Sequence, residues 1–269
     1  MREPAATGFY PGDKKLLKEI MNKLITSRKP EKITGCIVPH AGYLYSGSVA
    51  ASVYSILDTS YDSIIIFGPD HTGIAKDASV SSQDWELPCG TAHLDYELAS
   101  EIEMNSDRIT VDNLAHMYEH SIEVQLPFLY KIFKDFKFVP IIIPSHYTSP
   151  EIFSEIASAI KKACKNKKVL FIASSDFTHF GSGYNFVPVK ENQFEWIKET
   201  DNRLIRAITS SDKDTALKLG KQTTCCGIGP IMILMNLVSD GELIKYDTSY
   251  SISKNKNAIV GYSGIVFRK

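Results

Sequence analysis

No stretch of the 269-residue chain is apolar for anything near the roughly 20 residues that a membrane-crossing helix needs. Charge of one sign is missing too: 30 basic side chains face 31 acidic ones, a formal net charge of −1. Without a basic field there is nothing to hold a nucleic-acid backbone or an anionic bilayer, so neither nucleic acid nor membrane is an expected partner. There is no Pro/Gly/Ser linker, low-complexity tract or repeat, which predicts one domain over residues 1–269. Cysteine is scarce, five in all and irregularly spaced, which fits no disulfide framework and suits a reduced, cytoplasmic chain. The opening MREPAATGFYPGD carries two acids and no apolar core of signal-peptide length, so secretion is not expected. What the chain does have is 43% hydrophobic residues and seven histidines. At this size such a chain can bury roughly three quarters of its unfolded surface. Where the histidines fall decides the rest.

Helix and strand periodicities alternate along the whole length. Asp13 can cap a helix carrying Leu16, Leu17, Ile20, Met21, Leu24 and Ile25, ending by Lys29-Pro30. Residues 33–38 read as a short buried strand stopped by Pro39. Residues 47–57 read as a helix whose Ala50, Ala51 and Ser52 allow close packing on a sheet. Segments 63–67, 138–143 and 169–173 are continuous apolar runs, the mark of strands covered on both faces. Val80 predicts another strand. Further helices are predicted over 96–103, 121–133 (despite Pro127), 150–161, 192–208, 213–219 and 227–238, and closing strands over 244–250 and 259–267. The pattern predicts a single α/β domain with a mostly parallel or mixed central sheet flanked by helices. The one basic cluster, 161–168, reads as a solvated helix end and turn.

In open α/β sheets, ligands gather beyond the carboxyl ends of the strands. Three predicted strands run straight into such turns: Pro39-His40-Ala41-Gly42-Tyr43, Gly68-Pro69-Asp70-His71-Thr72-Gly73, and Ser174-Ser175-Asp176-Phe177-Thr178-His179. Any one of them is an ordinary turn, because Asp after Pro or Ser closes local side-chain turns. Three together bring His40, His71, Asp176 and His179 to one edge of the sheet. His93, His116 and His146 lack this placement and read as surface or loop residues. Cys36 and Cys164 read as packed or surface side chains, and Cys89 as a turn residue that can approach a pocket. Cys225 and Cys226 precede Gly227-Ile228-Gly229-Pro230 and a strongly apolar helix, so one of them should lie at a helix N-terminus, where the macrodipole favours thiolate. The plain alternative is two small residues beneath a tight turn. Two imidazoles and a thiolate suit Fe(II), Zn(II) or copper better than Mg(II) or Ca(II). Glu119-His120-Ser121-Ile122-Glu123 adds a polar cluster at a predicted helix start: either it caps that helix, or His120 faces the cleft as a proton donor.

Together these stretches resemble the Memo family, whose prokaryotic members belong to the AmmeMemoRadiSam system. The likeness is carried by Pro39-His40-Ala41-Gly42-Tyr43 with Ser46-Gly47, by Gly68-Pro69-Asp70-His71-Thr72-Gly73, and by Glu119-His120-Ser121-Ile122-Glu123 through Leu126-Pro127. It continues in Ser174-Ser175-Asp176-Phe177 with His179, and in Cys226-Gly227 with Pro230. Arg2-Glu3-Pro4-Ala5 and Gly8-Phe9-Tyr10 also look like the family's N-terminus, so the likeness spans the chain. It implies the fold of the class III extradiol dioxygenases, in which two histidines and a glutamate hold non-haem Fe(II) and a further histidine moves protons. On that likeness His40, His71 and Cys226 are the implied metal ligands, the thiol standing where those enzymes place a carboxylate. His179 is the implied acid/base, with Asp176 beside it and His120 as a helper. Fe(II) is the implied metal, with copper or zinc as alternatives. The implied chemistry is that of a dioxygenase-like oxidoreductase on a small-molecule or peptide substrate, with radical-SAM pathway partners. Two other readings use the same residues. One is a non-catalytic cleft that binds a peptide or partner, walled by Tyr43, Tyr45, Trp85, Phe180 and Tyr184. The other is a Cys226 nucleophile with His179 as base, oriented by Asp176.

Overall fold

The continuous apolar runs become the middle of a sheet in the computed structural model, which describes residues 1–268. In chain order the helices are α1 (Lys14–Leu24), α2 (Tyr43–Tyr54), α3 (Tyr96–Met104), α4 (Asn113–Met117), α5 (Leu126–Phe133), α6 (Pro150–Ala163), α7 (Gln193–Thr209), α8 (Lys213–Gln222), α9 (Ile228–Met235) and α10 (Tyr250–Ser253). The strands are β1 (Ile33–Val38), β2 (Ser63–Pro69), β3 (Ala78–Val80), β4 (Trp85–Leu87), β5 (Gly90–Leu94), β6 (Ile109–Val111), β7 (Lys137–Ile143), β8 (Val169–Ser174), β9 (His179–Gly181), β10 (Gly241–Thr248) and β11 (Ala258–Arg268). They pair in the order β10-β11-β1-β8-β2-β7-β3-β6. The four central strands β1, β8, β2 and β7 are parallel, and β11 and β3 run antiparallel to them on either side. The sheet is therefore mixed, with a parallel heart.

Successive side chains of a strand point to opposite faces, and both faces here are covered. On β2, Ile65 and Phe67 join one apolar layer with α3, α6, α7, α8 and α9, while Ile64 and Ile66 join the other with α1, α2 and α5. This two-sided burial is why β2 is apolar throughout. Asp13 caps α1 as expected, its side chain accepting from Leu16 N. The small residues of α2 bring it close to β11, where a Cβ added at Gly264 would come within 2.9 Å of Val53 Cγ2.

Some boundaries differ from the sequence expectation, each for a local reason. α2 begins at Tyr43, four residues early, because Gly42 serves as its N-cap. The expected helix over 121–133 is broken: Glu123–Gln125 forms a 3₁₀ turn, and α5 starts at Leu126 with Pro127 in its first turn, where a missing N–H costs nothing. The short strands β4, β5, β6 and β9 carry too few residues to show a period. His116, read as a surface or loop residue, is fully buried, with Nε2 at 3.0 Å from Ser79 O. The basic cluster over 161–168 is the solvated end of α6 and its turn. Among the described residues no helix is long and apolar enough to cross a membrane.

One buried acid lies where α7 meets the sheet. Asp201 is fully buried and accepts from Thr178 N (3.2 Å), Thr178 Oγ1 (2.6 Å) and Tyr246 Oη (2.8 Å). Burial outweighs these donors and pushes its carboxyl up from 3.8 to about 6. The folded protein thus holds this proton more tightly than the unfolded chain does. The stabilisation is complete below pH 3.8 and is lost as pH rises through about 6, on the order of 3 kcal/mol in all. Asp201→Asn is expected to remove that slope. In urea melts the wild type should lose about 3 kcal/mol against the variant between roughly pH 4 and pH 7, and a constant difference would refute the assignment.

Candidate metal centre

β1, β8 and β2 are adjacent and parallel, so their carboxyl ends open side by side. Val38 is in register with Ser174, which puts His40 and Asp176 the same two residues beyond their strands. Asp176 Oδ1 then bridges the two loops, accepting from His40 N at 2.9 Å and Ala41 N at 3.3 Å. After β2, Asp70 folds the next loop locally: Oδ1 accepts from Thr72 N and Gly73 N and Oδ2 from Ala75 N. Asp70 is thereby a turn-former, and the residue it delivers is His71. The fourth contribution comes from the start of α9. Gly227 is the N-cap, and Cys226 precedes it.

These loops bring His40, His71 and Cys226 together. One ligand atom from each lies within 4.8 Å of the other two. His40 Nε2 is 3.3 Å from Cys226 Sγ, and the His40 and His71 rings meet edge-on with centroids 5.1 Å apart. His40 is buried, whereas the His71 side chain is about a third exposed. His120 stacks between Phe9 (4.1 Å) and His71 (4.6 Å) on the cleft wall. It caps nothing, and Ser121 Oγ donates to Pro69 O instead. His179 Nε2 lies 4.0 Å from Asp176 Oδ2. Its Nδ1 is 3.0 Å from Thr224 O, which can only accept, so Nδ1 carries the proton and Nε2 is turned to Asp176.

Sequence reasoning did not single out Glu119 for a role at the site. It is fully buried behind His71, accepting from His71 N at 2.6 Å and Ser121 N at 2.8 Å, with Oε1 at 3.0 Å from His71 Nδ1. Its own burial opposes ionisation, but the His71 hydrogen bond and charge, with His120 and Ser121 N, hold the carboxyl down at about 2. The carboxylate therefore accepts from His71 Nδ1–H, so that in the neutral ring Nε2 is the bare nitrogen. Such an outer partner is what orients a ligating histidine. Burial pulls the His71 imidazole down, and Glu119 outweighs it, leaving the ring raised above its usual value. His120 Nδ1 is also 3.4 Å from Glu119 Oε1, but there burial and the neighbouring His71 outweigh Glu119 and Glu123 and lower the ring to about 4. The available signal for Glu119 was an acid directly beside a cleft histidine.

The thiol differs from expectation. Cys226 lies one residue before the α9 cap and is half-buried. Burial, then Asp176 and Cys225, push its thiol well above the ordinary value. The helix terminus does not overcome this, so a thiolate here requires a cation beside it. That weighs against Cys226 as a free nucleophile. Cys225 points elsewhere, with Sγ 3.4 Å from Ser175 Oγ, and Cys89 packs into the apolar layer of α1 and α2 rather than the cleft.

The cleft in front of the histidines measures about 470 Å³. Of the expected aromatic walls, Tyr45 and Tyr184 line it, but Tyr43, Trp85 and Phe180 are buried in packing. Phe9 and Tyr262 take their place. A second recess of about 350 Å³ has Cys225 and Cys226 among its lining residues. The close fit beneath the site is visible at Gly68, where an added Cβ would overlap Ser121 Oγ and lie 2.7 Å from Ile122 Cγ1. Gly68→Ala is expected to cost about 1–3 kcal/mol, the usual range for overpacking, by forcing the 119–122 loop outward. Thermal melts check this, and an unchanged melting point would show that the loop yields freely.

The strand ends of this α/β sheet thus gather imidazoles, a thiol and a buried carboxylate into a cluster that could hold a metal ion. The Memo-like protein family matches residues 2–266, and the chain belongs to that family. It is 38% identical over 281 residues to a MEMO1 family protein of Methanosarcina barkeri, with 99% of each chain covered. It is 36% identical over 292 residues to one of Pyrococcus abyssi, with both chains fully covered. A solved structure of an uncharacterized Escherichia coli K12 protein aligns over 86% of this chain and 99% of its own, at 11% identity and a TM-score of 0.48.

Proposed function

We propose that His40, His71 and Cys226 hold a first-row transition metal, Fe(II) foremost with copper or zinc as alternatives, and that the protein is a dioxygenase-like oxidoreductase acting on a small-molecule or peptide substrate. The observation that carries this reading is the mutual approach of the three donor atoms within 4.8 Å. A set of two imidazoles and one thiol fits such ions and fits Mg(II) or Ca(II) poorly. When bound, the metal would supply a Lewis-acidic centre, and iron or copper a redox-active one as well. The chain's own groups do the rest. Glu119 holds His71 by Nδ1, so its Nε2 is offered. His179 Nε2, 4.0 Å from Asp176 Oδ2, is the group that takes or returns a substrate proton, and His120 is the second imidazole on the cleft wall. Phe9, Tyr45, Tyr184 and Tyr262 wall the cleft around the substrate and limit water.

Anaerobic reconstitution with Fe(II), followed by metal analysis and O₂ uptake over a panel of catechols and small phenols, tests the reading. About one equivalent of metal is expected in wild type and far less in His71→Ala. Failure to hold metal at stoichiometric ratio sinks the proposal. A second reading, a non-catalytic peptide-binding cleft, draws on the exposed rings of Tyr45 and Tyr184 at its wall. Peptide capture that survives both His71→Ala and Cys226→Ser favours it.

A further inference from the structure

Behind His40 lies a buried hydrogen-bond chain that none of the residues discussed so far requires. Ser174 Oγ is 2.9 Å from His40 Nδ1, 2.6 Å from Ser121 O and 2.8 Å from Gln125 Nε2. Gln125 Nε2 also reaches Pro39 O at 2.9 Å, and its Oε1 accepts from Tyr54 Oη at 2.9 Å. Ser174 and Gln125 are both fully buried. Gln125 interrupts an apolar run between Val124 and Leu126, and a polar side chain sealed there needs every partner it has.

The proton positions follow from counting. Ser121 O is a carbonyl and brings no hydrogen, so two oxygens 2.6 Å apart can be bridged only by the Ser174 hydroxyl proton. Gln125 must turn its amide nitrogen toward Pro39 O and Ser174 Oγ, because the flipped amide would set its oxygen against a carbonyl. Its two N–H groups are then both spent. Ser174 Oγ has given its only proton to Ser121 O and accepts one from Gln125. What it still offers His40 is a lone pair. His40 Nδ1 must therefore be the protonated nitrogen, and Nε2, 3.3 Å from Cys226 Sγ, is left bare.

We infer that Ser174 and Gln125 are positioning residues that fix His40 as the Nδ1–H tautomer and so present its Nε2 beside Cys226. Gln125 acts at two points, gripping the carbonyl of the residue before His40 as well as the hydroxyl that faces its ring. Tyr54 closes the far end of the chain by donating to the amide oxygen. The tautomer assignment stands on hydrogen-bond counting alone. Its consequence for metal affinity rests on the proposed function.

Long-range proton–nitrogen correlation spectra of metal-free protein with ¹⁵N-labelled histidine read the tautomer directly. The wild type is expected to show His40 protonated at Nδ1 and bare at Nε2. Observing Nε2–H in the wild type overturns the inference without any variant. In Ser174→Ala the His40 signal is expected to move toward Nε2–H, and titration with Co(II) alone should show affinity reduced about 10–100-fold, as for other outer partners of ligating histidines. Ser174→Thr, which keeps the hydroxyl, should restore both readouts. If Ser174→Ala keeps His40 at Nδ1–H and binds Co(II) within about twofold of wild type, Ser174 does not set the tautomer. A wild type that shows the expected tautomer but takes up no Co(II) contradicts the metal proposal and leaves the tautomer assignment intact.

Discussion

Arg2→Ala is expected to lower the free energy of unfolding by about 3–5 kcal/mol, the cost of stranding one partner of a buried ion pair. Arg2 is only 5% exposed, and its Nη1 lies 2.5 Å from Glu123 Oε2, whose side chain is wholly buried. Every other face of the guanidinium is also used. Nη2 donates to Glu119 O at 2.8 Å, Nε to His116 O at 2.6 Å, and the plane lies 4.0 Å from the centroid of the Trp85 ring. Glu123 in turn accepts from Ala5 N, Ala6 N and Tyr10 Oη, so the pair ties residues 2–10 to the loop that carries Glu119 and His120. The substitution should therefore also loosen Phe9 from His120. Replacing both partners with neutral side chains, Arg2→Met with Glu123→Gln, should recover much of the loss, because no charge is then left unpaired. Denaturant melts of the two singles and the double measure this coupling. A single-variant effect below about 1 kcal/mol would place the pair with ordinary surface ion pairs and contradict the account.

The second large effect is on metal. Cys226→Ser is expected to reduce Fe(II) or Co(II) affinity by more than about 100-fold, since losing even an outer partner of a ligand costs about 10–100-fold. Serine is nearly isosteric but does not become a soft anionic donor at neutral pH. Its effect on folding should be small. Cys226 lines a recess and makes only long contacts to His40 Nε2 and Asp176 O, at 3.3 and 3.7 Å. Melting temperature and metal titration thus separate in this variant, opposite to Arg2→Ala, where stability falls first. Retained stoichiometric binding in Cys226→Ser would remove the thiol from the ligand set.

Much of the fold was legible because the central strands are buried on both faces and leave no ambiguity of pattern. β1 falls on the residues read as a strand, and β2, β7 and β8 differ by a residue or two. The placement of His40, His71, Asp176 and His179 followed from the same strands, since each lies a few residues past a carboxyl end. What stayed hidden were the groups whose role depends on long-range pairing. Glu119 and Gln125 reach the site from the segment leading into α5, and Arg2 from the chain start, and no spacing rule joins these to β1 or β2. His116 was misread for a related reason: it is buried by Arg2, Trp85 and β3, none of which is near it in sequence. The thiol's protonation was misjudged because a helix terminus is visible in sequence, while the burial and the Asp176 charge that oppose it are not.

The side-by-side strand ends also fix when the centre can exist. His40 and Cys226 are 186 positions apart, and in the chain between them lie β2, β7 and β8, the parallel neighbours of β1. Parallel pairings close long loops and are intrinsically slow to form. An ion held as proposed would therefore find no preassembled site on the unfolded chain, unlike in a finger whose ligands are neighbours. An ion bound as proposed would arrive at a finished protein and add its stabilisation by mass action.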